Sequence, residues 1–109
     1  MGVNHKVAVI TGSSSGIGFE TALVLARNNF TFAAMRNPER GVKIRAIQSM
    51  ENLPIEIAQL DVTSDKSVNG AIKSIFSRTG RIDVLVNNAG YGLVGVFEEL
   101  CKKNITIVG

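Results

Sequence analysis

The sequence predicts an open α/β domain built on a parallel sheet. Two observations carry that prediction. Short β-branched apolar runs alternate with longer segments of helical periodicity, and turn residues punctuate the joins in the order β-α-β-α-β-α-β. No internal repeat, low-complexity stretch or linker divides the 109 residues, which suit one small domain.

The elements follow in chain order. Lys6 to Ile10 is an uninterrupted β-branched run, as expected of a strand buried on both faces. Gly16 to Asn29 reads as a helix with Ile17, Ala22, Leu25 and Ala26 near one face and Asn28-Asn29 as its stop. Phe30 to Met35 is a second buried strand. Pro38 and Glu39 open a second helix in which Val42, Ala46 and Met50 recur at four-residue steps. Pro54 precedes a third strand, Ile55 to Leu60. Thr63 or Ser64 can cap a third helix, whose Val68, Ile72, Ile75 and Phe76 form an apolar stripe. Gly80 ends that helix, and Ile82 to Val86 is a fourth strand. Right-handed crossovers give the spatial order 3-2-1-4, with the first two helices on one face and the third on the other. Strand four is then an open edge carrying Val84-Leu85-Val86. Such an edge invites pairing with another chain, so marginal stability or self-association is expected.

Composition excludes several classes. With 45% hydrophobic and 19% charged residues the chain is an ordinary globular one. Its net charge of +3 comes from scattered Lys and Arg, whose longest run is Lys102-Lys103, too thin for a nucleic-acid footprint. The single cysteine, Cys101, excludes an internal disulfide framework and a cysteine-cluster metal site. No signal peptide or membrane span is visible in the sequence, and Lys6 breaks the myristoylation pattern that Met1-Gly2 begins. A soluble protein in the reduced cytoplasm is the expectation.

The first strand runs directly into Thr11-Gly12-Ser13-Ser14-Ser15-Gly16-Ile17-Gly18. A turn at the carboxyl end of a strand and the N-terminus of a helix presents unpaired N–H groups and the positive pole of the helix to an anion. Gly12 permits the sharp turn, Gly16 lets a pyrophosphate approach the backbone, and Gly18 lets helix and strand pack closely. Ser13, Ser14 and Ser15 add small hydroxyl donors without blocking a phosphate. The end of the second strand reads Ala34-Met35-Arg36-Asn37, with no carboxylate until Glu39. An acidic residue there would hold a ribose 2′-hydroxyl. Arg36 can instead reach a 2′-phosphate, with Asn37 as a further donor, which favours NADP over NAD.

The spacing G-x-x-x-G-x-G, with Thr11 before it and Asn87-Asn88-Ala89-Gly90 after the fourth strand, resembles the short-chain dehydrogenase/reductase family over about residues 5 to 100. The resemblance implies a Rossmann-type three-layer α/β/α fold and an oxidoreductase that moves a hydride between a nicotinamide cofactor and an alcohol or carbonyl. It places Gly12, Ser14, Ser15, Gly16, Ile17 and Gly18 along the pyrophosphate and nicotinamide side, Asp61 and Val62 beside the adenine, and Asn88, Ala89 and Gly90 along the adenosine ribose.

The family's chemistry also needs a Ser and a Tyr-x-x-x-Lys pair, in which lysine and ribose lower the tyrosine's pKa for proton exchange with the substrate oxygen. The one tyrosine, Tyr91, has Gly95 at its plus-four position, and no serine follows Ser77. Asn104 does not sit in the family's N-x-x-G run. His5 and Cys101 find no partners for triad or metal chemistry. No catalytic residue and no metal ligand is therefore assigned. Residues 1–100 read as the cofactor-binding part and 101–109, ending "CKKNITIVG", as a divergent tail, the chain as a whole being expected to represent a truncated or frameshifted enzyme. A non-catalytic NAD(P)-binding module and one half of a split enzyme are the alternatives. A substrate would bind only if a C-terminal half completed the site.

Overall fold

The computed structural model describes residues 5–88 and 105–108. Its centre is a parallel sheet of five strands in the order β3-β2-β1-β4-β5. The strands are β1 (Val7–Ile10), β2 (Phe30–Met35), β3 (Ile55–Gln59), β4 (Val84–Val86) and β5 (Thr106–Val108). The helices are α1 (Gly16–Ala26), α2 (Val42–Glu51) and α3 (Asp65–Thr79), and a 3-10 turn spans Pro38–Arg40.

β1 is fully buried because it is the middle strand and is covered on both faces. It pairs with β2 from Val7↔Phe30 to Ile10↔Ala33 and with β4 from Ala8↔Val84 to Ile10↔Val86. The two-residue period of a strand divides the core. Val7, Val9, Phe32, Ala34 and Leu85 pack with Val68, Ile72 and Ile75 of α3. Ile10, Ala33, Met35 and Ile55 pack with Ala22 and Ala26 of α1 and Ile44 of α2 on the opposite face. The expected division of the helices between the faces is therefore observed.

Three expectations are corrected. First, strand four is not an edge. β5 lies beside it in parallel, from Val84↔Thr106 to Val86↔Val108, with Asn87 N–H donating to the Val108 carbonyl at 2.7 Å. Ile105, just before β5, is buried in the α3-side core. A three-residue strand is too short to announce itself by periodicity, and here it is recruited by the unpaired side of β4. Second, α1 does not turn Ile17 inward; that side chain is 79% exposed. The helix is apolar on nearly every side, so periodicity cannot choose a face. The packed face is the row of small residues Gly18, Ala22 and Ala26, which allows close approach to the sheet. Third, α2 begins at Val42 rather than at Pro38, and Val42, Ala46 and Met50 face solvent. Ile44 is the residue it buries. Pro38–Arg40 forms its own turn, with Gly41 N–H donating to the Pro38 carbonyl at 3.0 Å.

The stop and cap signals agree with the sequence, although α1 already closes at Ala26 and the first, third and fourth strands are shorter than expected, Val7–Ile10, Ile55–Gln59 and Val84–Val86. Asn29 stops α1, its side-chain amide and backbone N–H both donating to the Leu25 carbonyl at 2.9 Å. Ser64 caps α3 by accepting from Ser67 N–H at 3.2 Å, and Gly80 closes it in the left-handed region. Among the described residues no helix is long and apolar enough to cross a membrane.

Candidate functional site

The carboxyl ends of β1, β2 and β4 meet at the β1–α1 turn, and that of β3 lies beyond β2 on the same side of the parallel sheet. Thr11, the first residue past β1, is buried; its N–H donates to the Val86 carbonyl at 3.0 Å and its hydroxyl to Asn87 Oδ1 at 3.2 Å. That ties the turn to the end of β4. Ser13 ties it to β2. Its fully buried hydroxyl donates to the Ala34 carbonyl at 2.9 Å, and its N–H reaches the same oxygen at 3.3 Å. Both donors of Ser13 are thus committed to bracing the turn, whereas Ser14 is half-buried and Ser15 exposed.

Two glycines shape the turn in different ways. Gly16 has φ +61, a conformation L side chains rarely adopt, and a Cβ there would meet nothing within 4 Å, so the space above it is open. Gly18 is restricted by crowding: a Cβ there would collide with the Gly12 carbonyl and the Asn88 side chain. The Asn88 amide donates to that Gly12 carbonyl at 3.1 Å.

The N-terminus of α1 is left open. Ser15 occupies the cap position in extended conformation, yet its side chain caps no N–H, and the first turn has no acidic residue. In α3 the equivalent serine does cap, and Asp65 stands in the first turn. Two helices with serine caps therefore differ at their positive poles, and the one facing the turn keeps its donors available for an anion.

At the end of β2, Arg36 is exposed and Asn37 is half-buried, its carbonyl accepting from Arg40 N–H at 3.0 Å. Asp61 begins the β3–α3 connection. The Thr63 hydroxyl donates to its carboxylate at 2.6 Å and the Thr63 N–H at 3.0 Å, and Asp61 N–H donates to Ser67 Oγ at 2.9 Å. The Thr63 hydroxyl, then the Thr63 N–H, hold the Asp61 carboxyl below its ordinary range, and the Arg36 charge adds in the same direction. Arg36 and Asp61 thus share one electrostatic environment at the mouths of β2 and β3. Val62 packs its side chain against the α3-side core. Ala89, Gly90, Tyr91, Cys101 and Asn104 lie outside the described residues.

A groove of about 520 Å³ runs along the outer side of this turn. Ser14, Ser15 and Gly16 line one wall with Phe19 and Glu20, and Lys43 of α2 lines it as well. Lys43 escapes a reading by motif because it lies outside every glycine or asparagine signature; only the packing of α2 against the sheet places it here. Among the described residues no group of three or more His, Cys, Asp or Glu is placed to hold a metal ion.

A parallel sheet wound on both faces, with a glycine turn at the carboxyl end of its first strand and an uncapped helix behind it, defines a Rossmann-type α/β domain. More narrowly, the chain belongs to the short chain dehydrogenase family, whose model matches residues 6–108. It is 39% identical over 100 residues to an uncharacterized oxidoreductase of Bacillus subtilis, an alignment covering 90% of this chain and 35% of the relative. It is 42% identical over 100 residues to retinol dehydrogenase 8 of Bos taurus, covering 87% of this chain and 31% of that protein. Among solved structures, an actinorhodin polyketide ketoreductase variant with NADPH superposes with a TM-score of 0.73 at 30% identity, covering 84% of this chain and 36% of that one. Menthone neomenthol reductase from Mentha piperita gives 0.71 at 30% identity, covering 92% and 38%. The chain spans about a third of the length of the curated relatives it matches.

Proposed function

We propose that this chain is the NADP(H)-binding part of a short-chain oxidoreductase. The observation that carries the reading is the contrast between α1 and α3: α1 keeps its N-terminal donors uncapped beneath an open glycine turn, while α3 satisfies its own with Ser64. That cradle fits a pyrophosphate. Gly12, Ser14, Ser15, Gly16, Ile17 and Gly18 would hold the dinucleotide along the turn, with Ser13 bracing the loop from within. Asp61, Val62 and Asn88, with Ala89 and Gly90, complete the adenosine side. Arg36 and Asn37 would take the 2′-phosphate, since no carboxylate stands at the end of β2 to hold a free 2′-hydroxyl.

The bound nicotinamide supplies hydride transfer to or from a carbon bearing oxygen. Retinol dehydrogenase 8 and menthone neomenthol reductase are named for different alcohols and ketones. Only the alcohol–carbonyl class carries over from such relatives. The sequence holds no Tyr-x-x-x-Lys, its one tyrosine being followed at plus four by Gly95. The 109-residue chain on its own is accordingly expected to bind cofactor without turning over a carbonyl. The reading also retains self-association, now through the outer edge of β5, where Val108 is 50% exposed. A sedimentation coefficient independent of concentration would remove that part.

The test of the reading is calorimetric titration of the purified chain with NADP and NAD, beside Arg36→Asp. The expected result is that Arg36→Asp weakens NADP by roughly tenfold or more while NAD is held or improved. Equal binding of both dinucleotides by both proteins would overturn the NADP assignment. Carbonyl reduction by the unaided chain at ordinary enzymic rates, about 1 s⁻¹ or above, would overturn the inactivity.

A further inference from the structure

We infer that Lys43, at the start of α2, is a second cation reading the 2′-phosphate of NADP and thus a determinant of cofactor specificity. The inference rests on the dinucleotide reading above and extends it to a residue that no motif marks.

Three placements support it. Half-buried Ser14 and exposed Ser15 and Gly16 share the groove of about 520 Å³ with Lys43, beside Phe19 and Glu20 of α1. The same turn is tied from its other side to β2, because Ser13 donates to the Ala34 carbonyl at 2.9 Å, two residues before Arg36. Arg36 follows β2 two residues beyond that hydrogen bond and is not in the groove's lining, while Lys43 lines the groove beside Phe19 and Glu20 of α1. The chain between them is short and folded back, with Arg40 N–H donating to the Asn37 carbonyl and Gly41 N–H to the Pro38 carbonyl, both at 3.0 Å. This double turn is what returns α2 to the same end of the molecule as Arg36.

No ion pair among the described residues spends the charge of Lys43, while that of Arg36 also acts on Asp61. The ion pairs among the described residues are Arg78–Glu56 and Arg81–Asp83, and neither involves Lys43 or Arg36. Glu20 lines the groove too, yet no ion pair joins it to Lys43. A phosphomonoester carries nearly two negative charges at neutral pH, more than one guanidinium neutralises. The pyrophosphate differs, because the uncapped N–H groups of α1 would serve it. A cation beside the serine hydroxyls, outside the helix axis, suits the additional phosphate that distinguishes NADP from NAD.

The experiment titrates the full chain, Lys43→Gln and Lys43→Arg with NADP, NAD and adenosine 2′,5′-bisphosphate at low and at physiological salt. Lys43→Gln is expected to weaken NADP and the bisphosphate by about three- to tenfold, to leave NAD unchanged, and to flatten the salt dependence, with Lys43→Arg retaining most of the affinity. Because Lys43 is exposed, unchanged thermal melts are expected for both variants. Equal weakening of NADP and NAD would assign Lys43 to the pyrophosphate and overturn the inference, as would NADP affinity that does not move. If Arg36→Asp loses NADP while Lys43→Gln does not, only this inference fails. If the unsubstituted chain binds neither dinucleotide, the reading beneath it fails and the inference with it.

Discussion

The Asn88 side-chain amide donates to the Gly12 carbonyl at 3.1 Å, and the two groups meet over the Cα of Gly18. The end of β4, the glycine turn after β1 and the first turn of α1 thus touch at one point. A methyl group at Gly18 has nowhere to go, since the nearest atom is backbone and cannot swing aside. Gly18→Ala is expected to cost about 1–3 kcal/mol in denaturant unfolding, in the range of other overpacked sites, and to weaken dinucleotide binding as the turn shifts. A variant as stable as the parent would show that α1 can move away from β1 freely.

The serines at the heads of α1 and α3 predict opposite outcomes for the same substitution. Ser64 accepts from Ser67 N–H, so Ser64→Ala is expected to lose about 1 kcal/mol of stability. Ser15 caps nothing, so Ser15→Ala is expected to leave stability within about 0.5 kcal/mol and to act on dinucleotide affinity instead. Paired unfolding and binding curves check both. A Ser15→Ala loss equal to that of Ser64→Ala would mean that the α1 cap is structural.

Much of this was legible in the sequence, and the reasons are specific. The glycine turn could be placed because strand, turn and helix follow in register, and α3 because Val68, Ile72 and Ile75 leave it one apolar face. Helix α2 is misoriented in a sequence reading because it carries two apolar rows, whereas in α1 Ala22, Leu25 and Ala26 pack as expected and only Ile17 turns outward. In α2 the row Val42-Ala46-Met50 competes with Ile44, and only contact with Ile55 and Met35 decides. The bracing role of Ser13 was hidden because a serine in such a turn can face either inward or toward a ligand. Lys43 depends on how α2 returns to the turn, which is a tertiary fact.

Asp83 gives stability a pH dependence. Its carboxylate accepts from Arg81 Nε at 2.9 Å and from the second guanidinium nitrogen at 2.7 Å, and from the backbone N–H of Val7 at 2.7 Å, at the start of β1. The Arg81 hydrogen bonds hold its carboxyl below the ordinary range, against partial burial, with the Val7 N–H adding to the effect. A carboxyl depressed in the folded state contributes stability above its unfolded pKa of about 3.9, and that contribution is lost as pH falls through the lower folded value. Urea midpoints of the parent should therefore fall from about pH 5 downward, and Asp83→Asn should be less stable at neutral pH with a shallower acid slope. The two curves should converge as the carboxyl protonates. Parallel curves across that range would rule out Asp83 as a source of the slope.

The tail decides the last case. Ile105 is buried against the α3-side core, and Thr106 N–H donates to the Asp83 carbonyl at 2.9 Å as β5 joins β4. A sequence reading treats these residues as an unrelated end, because three strand residues after a polar run carry no period. Their energetic role depends on one side chain. Removing the Ile105 side chain opens a cavity beside the α3-side core, so Ile105→Ala is expected to cost about 2–5 kcal/mol. Thr106→Ala, at an exposed position on the same strand, should change stability by less than about 1 kcal/mol. Hydrogen exchange gives an independent measure: Ile105→Ala should speed exchange at Asn87, whose N–H donates to the Val108 carbonyl, while Val9 in the central strand stays protected. If Ile105→Ala leaves both the midpoint and the Asn87 rate unchanged, β5 is not held by the core and the sheet ends at β4.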